Sequence, residues 1–235
     1  MALNGFHLGV NPDGNRRWAT LNGKQPSDGH RAGAKKMELL VNWAMKHNEI
    51  RELSIYGLSE ENFKRNPQEL SRLYDIYYDG LTRLLKSKEV HENRVHVNLV
   101  STSPKRVPGN LIDVCRELKS ETKFYGNKVL NILIGYTGQS EILKSVSTPM
   151  NRVKNLFFGL NEDDVRKSLG VKSVCDFVLR TGEEEADREA KSGFLLWQSA
   201  YSEYYHIKKF WPDLEEADLN TAWDYFIHAR RMKGK

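Results

Sequence analysis

The stretch Phe6-His7-Leu8-Gly9-Val10-Asn11-Pro12-Asp13-Gly14-Asn15-Arg16-Arg17-Trp18 joins an apolar run to a polar turn. Residues 6–10 are typical of a strand, and the Pro12 and Gly14 positions favour a turn that ends it. We expect a helix to begin just beyond this turn. Backbone N–H groups and the helix dipole bind anions at such junctions, and guanidinium groups match phosphate oxygens. Taken alone, the stretch is either a phosphate-binding turn or an ordinary Asp-Gly turn with surface arginines.

Strand patterns and helix patterns alternate along the rest of the chain. The predicted strands lie at 53–58, 95–100, 130–136 and 177–179, and the predicted helices at 33–47, 68–86, 111–124 and 217–231. This alternation predicts an α/β fold with a mainly parallel sheet surrounded by helices, which binds ligands at the carboxyl ends of its strands. Without repeats or linkers, we expect a single domain over residues 1–235, with a mobile loop at 183–191.

Composition narrows the functional classes. Lysine and arginine number 36 against 31 acidic residues, a net charge of +5, which favours an anionic partner such as nucleic acid or phosphate. No nucleic-acid-binding signature is present, so we expect no nucleic acid. No apolar run approaches the roughly 18 residues of a membrane span, which predicts a cytoplasmic protein. Cys115, Cys175 and the histidines lack zinc-ligand spacing, so the cysteines are predicted to be buried thiols.

Three further polar clusters follow predicted strands. Ser59-Glu60-Glu61-Asn62-Phe63-Lys64-Arg65 mixes acid, amide, aromatic and base, but it is also consistent with a helix that Ser59 caps. Tyr136-Thr137-Gly138-Gln139 is a weak signal, typical of a structural turn. Arg180-Thr181-Gly182-Glu183 is followed by Phe194-Leu195-Leu196-Trp197-Gln198-Ser199-Ala200-Tyr201-Ser202-Glu203 and by Trp211-Pro212-Asp213. This last series is long and specific.

Together these segments resemble the cis-prenyltransferases, the family of undecaprenyl and dehydrodolichyl diphosphate synthases. The family patterns are Asp-Gly-Asn-Gly-Arg-Trp, Gly-His-x-x-Gly and Ser-x-Glu-Asn-Trp-x-Arg. Their counterparts here begin at Asp13, Gly29 and Ser59, and the resemblance extends from about residue 7 to residue 231. It implies a six-stranded sheet with a hydrophobic tunnel, and a homodimer. It also implies Mg²⁺-dependent transfer of a prenyl group from an allylic isoprenoid diphosphate to isopentenyl diphosphate or another acceptor.

The resemblance also assigns roles to residues. The implied donor-diphosphate site consists of Gly14, Asn15, Arg16, Arg17, Trp18, His30 and Arg65. The implied allylic pocket consists of Ser59, Glu61, Asn62 and Phe63, and the implied acceptor site of Arg180, Arg188 and Ser192. Asp13, Asn15 and Asn62 would be catalytic, and Asp213 matches an acid of the family. Asp13 and Glu203 would hold Mg²⁺, which prefers one or two carboxylates together with substrate phosphates.

Departures from the family pattern gather on the acceptor side. Pro26 stands where the family has an arginine, and Gly135-Tyr136-Thr137-Gly138 replaces Asn-Tyr-Gly-Gly. The segment between Arg180 and Phe194 is longer by four residues, with Ala190 at the position of a second arginine. Arg188 or Lys191 could replace that arginine if the loop folds back. We infer an intact donor half and a remodelled acceptor half.

Three hypotheses follow. The first is prenyl transfer, in its simplest form cis head-to-tail condensation with isopentenyl diphosphate. The second keeps the donor chemistry but changes the acceptor, giving non-head-to-tail condensation or O-prenylation of an alcohol. The third is a non-catalytic subunit of a heteromeric synthase, which the retained Asp13, Asn15 and Arg17 disfavour. A lipid product would also allow peripheral membrane association.

The length of the expected tunnel depends on one predicted helix. Its residues Tyr74, Tyr77, Tyr78 and Leu81 either shorten the tunnel or belong to the ordinary core.

Overall fold

A single sheet of six parallel strands organises the chain. The computed structural model describes residues 5–182 and 192–232. The strand order is β3-β4-β2-β1-β5-β6, and every pairing is parallel, which confirms the predicted sheet. The strands are β1 Phe6–Asn11, β2 Ile50–Ser59, β3 Val95–Val100, β4 Lys128–Tyr136, β5 Phe177–Thr181 and β6 Glu203–Ile207.

Helices connect the strands and cover the sheet. In the described residues they are α1 Asn15–Leu21, α2 Pro26–Lys46, α3 Pro67–Leu85, α4 Lys88–Glu92, α5 Gly109–Glu121, α6 Gly138–Val146, α7 Pro149–Phe157, α8 Glu162–Ser168 and α9 Glu216–Met232. Short 3-10 turns occupy Glu60–Lys64, Pro104–Arg106 and Trp211–Asp213. None of the helices within the described ranges has the length and apolar character needed to cross a bilayer.

The strand order reverses at β1, which fixes the place of the site. The chain passes from β1 to β2 on one side, and later returns to β5 on the other side. In an open parallel sheet such a reversal leaves a crevice at the carboxyl ends of the strands. Asp13 follows β1, Ser59 ends β2 and Arg180 lies in β5, so three of the predicted clusters meet at this crevice.

The structure corrects several predicted bounds. The helix predicted at 33–47 begins at Pro26, where the proline occupies a first-turn position and Gln25 and Asp28 form a capping box. Helices α6 to α8 lie between residues 138 and 168, where no helix was predicted. The sequence patterns predicted five of the six strands. The strand that they missed is β6, at the edge of the sheet. The loop predicted at 183–191 lies outside the described residues.

A cavity of about 350 Å³ lies between α2, α3 and the sheet. Met37, Val41, Ile55, Leu130 and Ile132 are among its apolar lining residues, so it has the character of the predicted tunnel. Of the four candidates on α3, Tyr77 and Leu81 line this cavity. Tyr74 instead packs against the core and donates a hydrogen bond to the Arg106 carbonyl oxygen, and Tyr78 is exposed. Tyr77 and Leu81 also pack in the hydrophobic core, so for these two residues a role in limiting the tunnel stays a prediction.

Candidate active site

The turn after β1 is shaped by Gly14, which precedes the first helical residue of α1. Its φ of 102° lies in the region that glycine adopts without strain. A Cβ atom at this position would also lie 2.5 Å from Phe210 Cδ1. The Gly14 N–H donates to Asp13 Oδ1 at 2.6 Å, so the turn orients the carboxylate beside the amino end of α1. The sequence prediction of a strand, a turn and a helix is confirmed here.

Asp13 lies between two guanidinium groups. Arg17 Nη2 is 3.3 Å from Oδ1, and Arg180 Nη2 donates to Oδ2 at 3.1 Å. The Thr181 hydroxyl accepts from the Asp13 N–H at 2.9 Å and donates to its carbonyl oxygen at 3.0 Å. The carboxylate itself stays 40% exposed, so it is open to a ligand. The structure therefore brings together a residue predicted for the donor, Arg17, and one predicted for the acceptor, Arg180.

A second charged group surrounds Glu69 on α3. One carboxylate oxygen, Oε1, lies 3.5 Å from Arg16 Nε, 3.6 Å from Arg65 Nη1 and 3.5 Å from His30 Nε2. Burial and then the neighbouring Arg65 lower the pKa of His30 to about 4, so this imidazole is neutral near neutral pH. Glu69 thus holds two cations and one neutral imidazole together at one end of the cavity, which His30 lines.

Two glycines of the Gly-His-x-x-Gly motif allow α2 to approach α1 closely. A Cβ at Gly29 would lie 2.1 Å from the Asn15 carbonyl oxygen, and a Cβ at Gly33 would lie 2.2 Å from Asn15 Oδ1. Asn15 also lines the cavity, and its buried Oδ1 has no hydrogen-bond partner within the described part of the chain. The Trp211 indole closes the same corner, because its Nε1–H donates to the Gly33 carbonyl oxygen at 2.8 Å.

The segment after β2 forms a capped 3-10 turn. The Asn62 N–H donates to Ser59 Oγ at 3.3 Å, and the Ser59 N–H donates to Asn62 Oδ1 at 3.0 Å. The capping alternative considered for Ser59 is thereby confirmed, and it fixes Asn62. Phe63 is buried with the Arg106 guanidinium 4.2 Å above its ring, whereas Glu61 is exposed.

Glu60 joins this turn to two other strand ends. Its carboxylate accepts from the hydroxyls of Thr102, Ser103 and Ser140 at 2.7, 2.6 and 2.8 Å. Burial alone would raise the pKa of Glu60, but these hydrogen bonds and Lys144 lower it. The ionised side chain therefore holds the loops after β2 and β3 against the start of α6.

Comparison with known proteins identifies the family of this chain. A profile of the family described as putative undecaprenyl diphosphate synthase matches residues 12–234. The chain belongs to this family, the cis-prenyltransferases. It is therefore a transferase, and the resemblance seen in its motifs is confirmed.

Curated relatives of this cis-prenyltransferase include two archaeal enzymes, each named tritrans,polycis-undecaprenyl-diphosphate synthase (geranylgeranyl-diphosphate specific). The Pyrococcus furiosus protein is 36% identical over 97% of this chain and 86% of its own length. The Pyrobaculum aerophilum protein is 32% identical over 97% of this chain and 95% of its own length.

Two solved structures share the fold of the cis-prenyltransferase. Lavandulyl diphosphate synthase from Lavandula x intermedia, in complex with dimethylallyl diphosphate, superposes with a TM-score of 0.83 at 24% identity, covering 95% of both chains. A probable undecaprenyl diphosphate synthase from Campylobacter jejuni gives 0.73 at 24% identity, covering 96% of both chains.

Trp18 and Asp213 form a direct pair in the cis-prenyltransferase. The Trp18 indole N–H donates to Asp213 Oδ1 at 2.7 Å. The Trp211 N–H also donates to the Asp13 carbonyl oxygen at 2.9 Å. The Trp-Pro-Asp turn therefore supports α1 and the turn before it.

Two of the departures from the family pattern have a local explanation. Pro26 begins α2 where the family has an arginine, but Arg16 stands where the family has a glycine. Arg16 shares Glu69 with Arg65, so a guanidinium is present in this cluster despite Pro26. Gly135 has a φ of +61°, which glycine adopts without strain, and a Cβ at this position would lie 2.7 Å from Phe63 Cζ. The glycine that replaces the asparagine of the family therefore fits the packing of this turn against Phe63.

The predicted acceptor residues are only partly described. Ser192 is exposed, and its carbonyl oxygen accepts from the Tyr56 hydroxyl at 3.2 Å. The Gly138 N–H donates to the Gly193 carbonyl oxygen at 2.7 Å. The turn after β4 thus anchors the end of the acceptor segment. Arg188, Ala190 and Lys191 lie outside the described residues.

Glu203 does not lie beside Asp13 within one chain. It is level with Phe177 at the start of β6, whereas His206 is level with Arg180. Three strand residues separate the two levels, roughly 10 Å along the strand. The metal role of Glu203 therefore stays a prediction.

The residues around Asp13 fit Mg²⁺. Within 5–182 and 192–232 no three acidic, histidine or cysteine side chains form a metal-binding group. A single exposed carboxylate completed by substrate phosphates is a common arrangement for Mg²⁺, and Asp13 provides that carboxylate.

Glu69, Thr181 and Glu60 were not predicted as site residues. Each acts on other protein groups through contacts that depend on tertiary packing, and no local motif marks Glu69. Glu60 and Thr181 each had a weak signal, because they stand next to Ser59 and Arg180 in the quoted clusters.

Proposed function

We propose that this cis-prenyltransferase transfers the prenyl group of an allylic diphosphate to isopentenyl diphosphate, head to tail and in cis, with Mg²⁺. The supporting observation is an apolar cavity that begins at Asn15 and His30, beside the guanidiniums of Arg16 and Arg65. A cavity of this kind suits a hydrocarbon tail, and the cations suit its diphosphate. Because the relatives are named as specific for geranylgeranyl diphosphate, we propose that compound as the donor.

Donor binding would use the cations that Glu69 now holds. The diphosphate oxygens would accept hydrogen bonds from Arg16 and Arg65, whose guanidiniums lie 3.5 and 3.6 Å from the Glu69 carboxylate. Backbone N–H groups at the start of α1 would bind the same anion. The neutral His30 would add no charge, and Asn62, fixed by its capping contacts, would face the allylic end.

Bond breaking would leave the electron pair of the allylic C1–O bond on the departing diphosphate. Asp13 would hold Mg²⁺, which when bound neutralises charge on that leaving group. Arg17 would stabilise the same developing charge, and fixed cations of this kind lower such barriers without reorganisation. The apolar cavity would exclude water from the allylic carbocation.

Carbon–carbon bond formation would follow at the acceptor. Arg180 would bind the diphosphate of isopentenyl diphosphate, and its contact with Asp13 would place the acceptor beside the donor. The double bond of the acceptor would supply the electron pair for the new bond to C1. Loss of a proton from the acceptor would then restore a double bond, giving a longer allylic diphosphate.

The test is a product assay on the purified protein. Labelled isopentenyl diphosphate and Mg²⁺ would be incubated with dimethylallyl, geranyl, farnesyl or geranylgeranyl diphosphate, and the products measured by mass spectrometry. We expect elongated diphosphates, most readily from the geranylgeranyl donor, and none after chelation of Mg²⁺. A protein that elongates none of these donors would contradict the proposal.

A changed acceptor is the second candidate, since the segment between Arg180 and Phe194 is longer by four residues and carries Ala190 in place of an arginine. If donor diphosphate is consumed only with a second allylic diphosphate or an alcohol, the product is non-head-to-tail or an ether. Robust elongation of isopentenyl diphosphate by the protein alone would exclude this candidate and the non-catalytic subunit.

The same proposal includes a homodimer of single-domain chains in the cytoplasm. Equilibrium ultracentrifugation of the purified chain checks the first part, with twice the mass of 27.2 kDa as the expected result.

A further inference from the structure

The cavity continues well beyond the predicted catalytic residues. From α2 it is lined by residues between His30 and Asn42, a span of about 18 Å along a helix. From α3 it is lined by Tyr77, Gly80, Leu81 and Leu84, which recur at the spacing of one helix face. The two helices therefore form the long walls of a channel whose sides are apolar.

The far end of the channel is polar. Glu38 on α2 and Arg83 on α3 both line the cavity, and Arg83 Nε donates to Glu38 Oε1 at 2.8 Å. Their side chains are 56% and 57% exposed, so this ion pair stands where the cavity meets solvent. Ser87 and Glu89 extend the same polar rim, and the Ser87 hydroxyl donates to the Glu89 carboxylate at 2.8 Å.

We propose that the Glu38–Arg83 ion pair, together with the rim at Ser87 and Glu89, ends the channel and so limits the length of the prenyl chain. This inference rests on the proposed function, since it requires the prenyl chain to occupy the cavity. Each carbon of a growing chain is stabilised while it enters the apolar channel. Beyond the ion pair, further carbons would meet charged groups and water, so their addition would no longer bring the free energy of apolar burial. Growth past the pair would also require its two charges to separate around a hydrocarbon.

Gly80 allows an independent test of whether the prenyl chain occupies the channel. It lines the channel between Tyr77 and Leu84, and no atom lies within 4 Å of a Cβ placed there. A leucine at this position would therefore project into open space and fill the channel before the ion pair is reached. Helix formation should tolerate this change, because glycine is a poor helix former and leucine a good one.

The experiment measures product length by mass spectrometry, with labelled isopentenyl diphosphate and the most active donor. In Glu38→Leu/Arg83→Leu the polar end is replaced by an apolar one, and we expect the main product to lengthen by at least one isoprene unit. In Glu38→Arg/Arg83→Glu the pair is reversed but retained, so we expect the wild-type product. Gly80→Leu should shorten the product by at least one unit.

A matched control removes an ion pair that lies away from the cavity. Arg116 and Asp113 on α5 lie 3.0 Å apart and are more exposed still. Leucine at both positions should leave product length unchanged, because exposed ion pairs contribute little to stability.

The outcomes separate this inference from the proposed function. Unchanged length in Glu38→Leu/Arg83→Leu, with shortening in Gly80→Leu, would overturn the ion-pair stop and leave the prenyl channel supported. A longer product in the charge-reversed variant would also overturn it, since the pair would then not be the limiting feature. If the wild-type protein elongates no donor at all, both the ion-pair stop and the proposed function are overturned.

Discussion

The contact between Gly29 and Asn15 offers a direct test of how the donor site is built. In Gly29→Ala the new Cβ would lie 2.1 Å from the Asn15 carbonyl oxygen, whereas Cβ atoms essentially never approach other atoms within 3.0 Å. Since the clash involves backbone, α1 must move away from α2 by at least 0.9 Å, the difference between these distances. Asp13 and the arginines of α1 would move with it.

The expected effect on turnover follows from that displacement. A misplacement of about 1 Å can cost roughly 10²-fold in rate, so we expect kcat to fall by about that factor. Overpacking costs about 1–3 kcal/mol of unfolding free energy, and the better helix propensity of alanine returns up to about 1 kcal/mol. The protein should therefore still fold while it loses most of its activity.

Steady-state prenyl transfer and urea unfolding followed by circular dichroism would measure the two effects. Gly109→Ala is the matched control, since Gly109 also belongs to a helix, lies outside the cavity lining, and has no atom within 4 Å of the new Cβ. It should keep wild-type turnover and gain up to about 1 kcal/mol of stability. Turnover of Gly29→Ala within twofold of wild type would refute the argument that close packing of α1 on α2 positions the donor site.

Three further predictions concern single side chains. Asp13→Ala should lower kcat by on the order of 10²-fold or more without unfolding the protein, because it removes the acid predicted to hold the metal; normal turnover would contradict that role. Arg180→Ala should raise KM for isopentenyl diphosphate by about tenfold or more and affect donor binding less; equal effects on both substrates would argue against separate sites. For His30 the folded pKa of about 4 lies below the ordinary value of 6.5, so between these values the unfolded chain binds a proton that the folded chain does not. Stability should therefore fall by up to about 3 kcal/mol as pH drops from 6.5 to 4, and His30→Asn should flatten the urea-midpoint curve across this window; an unchanged slope would show that His30 is not responsible.

Local patterns were sufficient for the features that depend on neighbouring residues. The turn at Asp13 and Gly14 was predicted because proline fixes its own φ and glycine adopts the positive φ that many turns need, wherever these residues occur. The start of α2 at Pro26 was missed because Gly29 and Gly33 lower helix propensity, although packing against α1 requires them. Tertiary packing overrides intrinsic propensity in such positions.

Features set by distant contacts could not be read from the sequence. Glu69 acts on Arg16 and His30, which lie 53 and 39 positions earlier in the chain and belong to other helices. Glu203 was paired with Asp13 through the family pattern, yet the register of β6 places it three residues before the level of Arg180. Register depends on pairing between strands, and a short edge strand carries little sequence signal of its own.

The structure also changes which departures from the family pattern matter. Arg16 brings a guanidinium to the Glu69 cluster despite Pro26, and Gly135 suits both its φ of +61° and its close contact with Phe63. After both departures the site still has a guanidinium in the Glu69 cluster and a formed turn at Gly135. Neither departure therefore requires a reaction other than the proposed prenyl transfer. Arg180 contacts Asp13 directly, which extends the retained geometry to the start of the acceptor segment. We therefore expect any change of acceptor to arise between Arg180 and Ser192, where the sequence departs most from the family pattern, since Arg180 pairs within the sheet and Ser192 accepts from Tyr56.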